Sequence, residues 1–195
     1  MKKIFLSLLA LVGVAGGLVC TSCSGGGGKE QDGYAKAMAG VVLQLWPSAT
    51  PSLTIAFEQP ISSNVCAASY IPGSSTSYPG QFSIDHVEKV TAGDHAGTWM
   101  VRSNLNIQSS TITTDQQFKE ILRVGDVTNV LLHECSVVLY FEEGSKGGSA
   151  ELWAKGTYGD DNKGVIQNAF PGGATFIING KMPDYSYFQP EKARK

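Results

Sequence analysis

Two histidines have neighbours that could take part in metal chemistry. His86 and His95 each follow an aspartate, in the pairs Asp85-His86 and Asp94-His95, and the pairs fall on the two arms of a predicted hairpin. Imidazole nitrogens and carboxylate oxygens are ligands for zinc and other transition metals. Neither pair has a recognised metal-binding spacing, so we interpret both as solvated hairpin residues and predict no metal site. A metal-dependent enzyme that uses His86 and His95 is the alternative hypothesis.

Other reactive side chains lack the companions that catalysis requires. His133-Glu134 has no second histidine at helical spacing, so the zinc-protease pattern is incomplete. The acidic segment 160–164 lacks the alternating ligands and distal glutamate of a calcium loop, and a hairpin turn explains it. No serine-hydrolase elbow or phosphate-binding glycine loop is present in the sequence. The sequence therefore predicts no catalytic residue and no cofactor, and it does not indicate an enzyme.

The N-terminus has the layout of a secretory signal peptide. Met1-Lys2-Lys3 is positively charged, residues 4–19 are apolar, and Cys20-Thr21-Ser22-Cys23 follows. The apolar segment is shorter than the roughly 20 residues that span a bilayer as a helix. The pattern therefore favours a cleaved export signal over a permanent membrane span.

A cysteine directly after such a segment resembles the lipobox of bacterial lipoproteins. In that family the cysteine receives a diacylglyceryl group and becomes the new N-terminus. Cys23 is the preferred site because the small residue Ser22 precedes it, and Cys20, which follows Val19, is the alternative. The resemblance implies a lipid anchor in the bacterial cell envelope. Ser24 resembles the sorting context of outer-membrane lipoproteins, which implies the outer membrane, with the domain on its periplasmic or surface face.

The sequence divides into four segments. Residues 1–22 are the predicted signal peptide, 23–32 a glycine-rich tether, 33–190 a single mainly β domain, and 191–195 a polar, basic tail. A flexible tether of this length reaches roughly 16–19 Å on average. That reach would hold a folded domain just clear of the lipid headgroups.

Hydrophobic alternation predicts a mainly β domain, either an antiparallel β-sandwich or a small β-barrel with one or two short helices. The predicted strands are 52–58, 82–86, 99–107, 127–141, 151–158 and 174–178. Residues 61–81 are rich in Ser, Gly and Pro and predict a long loop or an edge segment. Residues 32–46 fit either a helix or a strand at 41–46, and Thr114 is the predicted cap of a helix that starts at Asp115.

Charge excludes one class of partner. The chain has 15 Lys and Arg against 17 Asp and Glu, and its isoelectric point is about 5.9. A nucleic-acid-binding domain normally carries a basic face, so no nucleic-acid partner is predicted.

Cys66 and Cys135 are the cysteines that remain in the exported domain once Cys20 and Cys23 are assigned to the N-terminal segment. Export makes disulfide formation chemically available. Closing a loop of about 70 residues would stabilise the fold by on the order of 4 kcal/mol. The sequence therefore predicts a Cys66–Cys135 disulfide.

Gly97-Thr98-Trp99 resembles the Gly-x-Trp signature of lipocalin-like barrels, in which the tryptophan closes one end of the barrel. The resemblance implies a carrier of a small apolar ligand, with a pocket lined by Trp99, Leu105 and Leu152. Aromatic side chains, when exposed, could also stack on sugar rings. The candidate ligand-binding residues are Trp99, Trp153 and Tyr158.

The leading hypothesis is a membrane-anchored lipoprotein whose β domain binds an unknown ligand or envelope protein, or has a structural role, without catalysis. The lipocalin-like carrier and the metal-dependent enzyme are its two alternatives.

Overall fold

The computed structural model describes residues 33–46, 52–107, 109–167 and 173–189. The predicted lipidation sites Cys20 and Cys23, the tether and the basic tail lie outside the described residues.

Nine strands and four short helices form the described part of the chain. The helices are α1 (Tyr34–Met38), α2 (Ser109–Thr114), α3 (Gln116–Leu122) and a 3-10 helix (Tyr185–Phe188). The strands are β1 (Val41–Trp46), β2 (Leu53–Pro60), β3 (Val65–Pro72), β4 (Tyr78–Lys89), β5 (Trp99–Asn106), β6 (Leu131–Phe141), β7 (Gly147–Tyr158), β8 (Gly164–Gln167) and β9 (Ala174–Gly180). No helix among these residues is long and apolar enough to cross a bilayer.

The sheet closes into an antiparallel barrel of eight strands. Strands β1 to β7 each pair with the next strand in the sequence, and β9 pairs with both β7 and β1. Strand β8 forms an additional hairpin arm on the second half of β7. The mainly β prediction is thus confirmed, and of its two architectures the chain adopts the barrel.

Side chains that alternate along each strand fill the barrel. Inward positions are apolar and almost fully buried, as in Leu43 of β1, Ile55 of β2 and Val137 of β6. Ser103 of β5 is the inward polar exception among the described strands, and its hydroxyl donates to the Val137 carbonyl oxygen at 2.9 Å. The interior is therefore a packed, mainly apolar core in which the buried Ser103 hydroxyl has a hydrogen-bond partner.

Short helices cover both ends of the barrel. Helices α2 and α3 lie at one end, where Ile112 and Phe118 are buried. The Asp115 side chain caps α3 by accepting from the Phe118 backbone N–H at 2.9 Å, so the predicted cap at Thr114 was one residue early. Helix α1 and the 3-10 helix cover the other end and are joined by a hydrogen bond from Asp184 N–H to the Ala37 carbonyl oxygen at 3.0 Å.

Segment 61–81 is not a long loop. It contains β3 and the start of β4, and in β3 the inward side chains include Cys66, Ala68 and Tyr70. The Tyr70 hydroxyl donates to the Gln81 carbonyl oxygen of β4. Both alternatives for residues 32–46 are partly right, since a helix at 34–38 precedes the strand 41–46.

The predicted Cys66–Cys135 disulfide does not form, and both cysteines are free and buried. Cys66 lies on β3 and Cys135 on β6, with β4 and β5 between them in the barrel wall. Three strand spacings of about 4.8 Å each place these positions roughly 14 Å apart along the wall. A disulfide needs Cα atoms less than about 7 Å apart. The Cys66 thiol instead donates to the Ala35 carbonyl oxygen at 3.1 Å.

Candidate functional site

The residues predicted to line a carrier pocket are buried, and the hollow that Leu152 lines is small. Trp99 lies at the α1 end of β5 and Leu105 toward the α2–α3 end, and both are buried, as is Leu152 of β7. The hollow beneath α2 and α3, which Leu152 and Cys135 help to line, measures about 10 Å³. That volume holds about one water molecule, whereas small-molecule sites measure about 300–1,000 Å³. Of the residues predicted for a carrier pocket, Leu152 thus lines a hollow too small for such a ligand, whereas Leu105 lines a larger hollow described next.

Two adjoining hollows of ligand size open in the barrel wall, and the second reaches the inward-facing residues Leu105 and Cys135. The first, here called the outer groove, measures about 410 Å³, and the second, here called the notch, measures about 450 Å³. The outer groove is lined by Asp85, Met100, Arg102, Asn104, Glu134, Ser136, Val138, Tyr140, Glu151 and Trp153. The notch is lined by Ser83, Asn104, Leu105, Asn106, Ile107, Leu132, His133, Glu134 and Cys135. The two hollows share Asn104 and Glu134 and thus adjoin.

Strand divergence explains the position of the notch. The pairing of β5 with β6 ends at Asn104 and Ser136, although both strands continue beyond that point. Residues 107–130, which include α2 and α3, connect the separating strand ends. A register shift between Leu132 and Glu134 places an irregularity in β6 at the same level. Such bulges bend a strand and redirect its side chains.

The floor of the outer groove is apolar. Met100 of β5 and Val138 of β6 alternate with inward-facing neighbours and therefore point outward, yet they are only 8% and 7% exposed. Longer outward side chains, including Tyr140 and Trp153, line the groove beside them. Outward-facing apolar side chains with so little exposure indicate a recess in the wall.

A hydrogen-bonded aromatic side chain forms one border of the outer groove. The Tyr140 hydroxyl donates to the Glu151 carboxylate at 3.1 Å, and the Tyr140 ring stacks on His95 with centroids 3.7 Å apart. Partial burial raises the pKa of Tyr140, and so does the bond to Glu151, while the Arg102 guanidinium acts in the opposite direction. His95 also hydrogen-bonds through Nδ1 to the Ser149 hydroxyl at 3.3 Å. These contacts fix the orientation of the Tyr140 ring.

Two further carboxylates are oriented by hydrogen bonds. The Asn104 amide donates to Asp85 at 2.5 Å across the β4–β5 pair, and Lys155 donates to Glu134 at 2.9 Å across the β6–β7 pair. Each bond uses one carboxylate oxygen, so the second oxygen is able to accept from a ligand.

Three donors of the outer groove have no hydrogen-bond or ion-pair partner within the described part of the chain. They are the Arg102 guanidinium, the Trp153 indole N–H and the Ser136 hydroxyl. Because they lie beside the oriented carboxylates, the groove presents donors and acceptors together over an apolar floor. This arrangement suits hydrogen-bonded recognition of a small molecule.

The three predicted ligand-binding aromatics do not form one site. Trp153 lines the outer groove, whereas Trp99 is buried at the α1 end beside Phe188, with ring centroids 5.9 Å apart. Tyr158 is partly buried against the core near the β7–β8 turn. Trp99 does lie at one barrel end, as the resemblance to lipocalin-like barrels implies, but in β5.

The Trp99 indole nitrogen is buried and forms no well-aligned hydrogen bond with another described atom. Its N–H still lowers the pKa of Glu143, and the Lys89 ammonium group lowers that pKa further. Lys89 pairs with Glu143 at 3.3 Å and lies 4.9 Å from the Trp99 ring centroid. This cluster covers the edge of the core at the α1 end.

Arg102 and Tyr140 belong to the groove but were not predicted. They occupy alternate outward positions of β5 and β6, and the alternation itself is visible in the sequence. What the sequence does not show is that β5 and β6 lie side by side between β4 and β7.

The two histidines do not form a metal site. His86 Nε2 pairs with Glu88 at 3.3 Å, and both side chains are about half exposed. His95 instead packs on Tyr140. Within the described ranges, no three His, Cys, Asp or Glu side chains gather at metal-binding distances, so His95 does not join His86 and Glu88.

Comparisons with known proteins found no relative that could identify a ligand for these hollows. No protein-family model, no curated protein and no solved structure matches the chain.

Proposed function

We propose that this chain is a lipid-anchored protein of the bacterial cell envelope whose β-barrel binds a ligand on its outer wall, without catalysis. The observation that carries the binding site is the contrast between an interior hollow of about 10 Å³ and an outer groove of about 410 Å³. The segment Cys20-Thr21-Ser22-Cys23, after a charged and an apolar run, supports the anchor.

The side chains of the outer groove support binding. Trp153 supplies apolar area with a polar N–H, Arg102 supplies several donors, and Glu134 and Asp85 supply oriented acceptors. A tether between the anchor and residue 33 would leave the barrel wall accessible to molecules of the envelope.

The anchor is tested by Cys23→Ala, with Cys20→Ala as the matched control. We expect Cys23→Ala to abolish labelling by a fatty-acid analogue and to move the protein out of the membrane fraction. Cys20→Ala should leave labelling and membrane association unchanged. If Cys23→Ala remains in the membrane fraction with unchanged labelling and gel mobility, lipidation at Cys23 is contradicted.

The binding site is tested with envelope fractions. The full chain would be immobilised, and the lipid, protein and polysaccharide fractions of the producing cell's envelope would be passed over it. We expect saturable binding from one of these fractions, lost in Trp153→Ala and kept in Trp46→Ala. Trp46 is the matched control because it also lies partly exposed, on β1. Circular dichroism would establish that both variants are folded. Absence of binding by every fraction, or equal binding by both variants, contradicts an outer-wall site.

A further inference from the structure

The geometry points to an uncharged oligosaccharide as the ligand of the outer groove. This inference rests on the proposed outer-wall site and adds the chemical class that the groove recognises. Four properties carry it: mixed hydrogen-bonding capacity, an apolar floor, the charge balance, and the extension of the groove into the notch.

Hydrogen-bonding capacity distinguishes sugars from charged ligands. The unpartnered groups of the groove include the donors of Arg102, Trp153 and Ser136, and these stand beside carboxylate oxygens that accept. A sugar hydroxyl both donates and accepts, so adjacent hydroxyl groups satisfy both kinds of partner at once. A lysine side chain or another ammonium ligand only donates and would leave the three donors without partners.

The floor of the groove fits the apolar side of a sugar ring. A pyranose ring has C–H groups on its faces and hydroxyl groups on its edge. Met100 and Val138 form an apolar floor, and Trp153 adds an aromatic side chain beside them. Burying apolar area against such a surface is favourable, while the ring edge reaches the polar rim.

Charge disfavours an anion. Asp85, Glu134 and Glu151 line the groove together with Arg102, the one cationic side chain among its lining residues. Lys155 offsets Glu134 at 2.9 Å, which leaves two carboxylates against one guanidinium group. A phosphate or sulfate group would gain from Arg102 but would be repelled by the remaining carboxylates. An uncharged ligand avoids this repulsion.

The extension of the groove favours a chain of sugars over a single one. The notch adjoins the groove through Asn104 and Glu134 and adds about 450 Å³ to the first 410 Å³. The notch is lined by polar Ser83 and Asn106 and by apolar Leu105 and Ile107. The same mixture of polar and apolar surface thus continues along the strands.

The test is isothermal titration of the full-length protein with defined probes. The neutral probes are the trimers of N-acetylglucosamine, β-1,4-glucose, α-1,4-glucose and β-1,4-mannose. The charged comparators are tetralysine and a heparin tetrasaccharide. We expect saturable binding of at least one neutral trimer, weaker by about tenfold or more in both Trp153→Ala and Arg102→Ala, because each removes a group in direct contact. Trp46→Ala is the matched control and should bind as the wild type does.

Several results would overturn the inference. They are binding of none of the neutral trimers, binding of a charged comparator only, or neutral-sugar binding that Trp153→Ala leaves unchanged. If the trimers fail while an envelope lipid or protein fraction still binds in a manner that depends on Trp153, the oligosaccharide is excluded and the outer-wall site stands. If neither kind of probe binds, both proposals fail.

Discussion

Replacing Phe141 by alanine tests whether the barrel core is as full as described. Phe141 is fully buried at the α1 end, and its ring centroid lies 5.1 Å from Phe176 and 6.3 Å from Phe188. Truncating a buried phenylalanine to alanine costs about 3–5 kcal/mol, with the higher values where the cavity cannot collapse. A closed barrel wall restricts collapse, so we expect Phe141→Ala to lower the free energy of unfolding by about 4–5 kcal/mol.

Urea unfolding followed by tryptophan fluorescence measures this loss. The midpoint should fall while the dependence of the unfolding free energy on urea stays constant. Ile177→Ala is the matched control, because Ile177 adjoins Phe176 on β9 but faces outward and is 40% exposed. It should cost less than about 1 kcal/mol, as surface substitutions usually do. A loss below about 1.5 kcal/mol for Phe141→Ala would refute a filled core.

Three further predictions concern buried groups. Because burial raises the pKa of Cys66 to about 11 and that of Cys135 to about 12, neither thiol should react with a disulfide reagent at pH 8 until the protein is unfolded; rapid reaction of the native protein would contradict this. Because both pKa values are raised on folding, the contribution of the protonated thiols to the free energy of unfolding is fully present below pH 9 and decreases as the pH rises toward 12. The loss is about 1.4 kcal/mol per pH unit for a fully buried thiol. Equal unfolding midpoints at pH 8 and pH 11 would contradict this prediction. Asp115→Ala removes the α3 cap and the acceptor of the Tyr78 hydroxyl, which lies 2.8 Å away. We expect it to lower the free energy of unfolding, measured by heat or urea, by about 2 kcal/mol, with Asp115→Asn intermediate. Equal stability of the alanine variant and the wild type would contradict this prediction.

Local alternation predicted those strands whose two faces differ clearly. Strand β2 and the β4–β5 hairpin have mostly apolar inward residues and mostly polar outward ones, and each was recognised. Strand β3 was missed because small residues, Ala67 and Ser69, occupy its outward face. Serine, glycine and proline around it are typical of loops, and only pairing with β2 and β4 makes the segment a strand.

The wrong disulfide prediction and the missed groove have the same cause. Both depend on the order of the strands in the barrel, which no short stretch of sequence shows. Cys66 and Cys135 are both inward-facing, and the consecutive pairing of β3, β4, β5 and β6 places two strands between them. The groove likewise draws Asp85, Arg102, Tyr140 and Trp153 from four adjacent strands. Each of these residues has an ordinary outward position in its own strand, so only the strand order shows that they face one recess.

The indole N–H signals of the three tryptophans test the central claim most directly, because each reports a different part of the barrel. Trp153 lines the outer groove, Trp99 lies buried at the α1 end, and Trp46 lies on β1. The ¹⁵N-labelled full-length protein would be titrated with the separate lipid, protein and polysaccharide fractions of the envelope, with signals assigned through single Trp→Phe variants. We predict that the fraction that binds shifts the Trp153 signal in a saturable manner and leaves the Trp99 signal in place. A saturable shift of Trp99 with Trp153 unmoved would place the ligand inside the barrel and contradict the account.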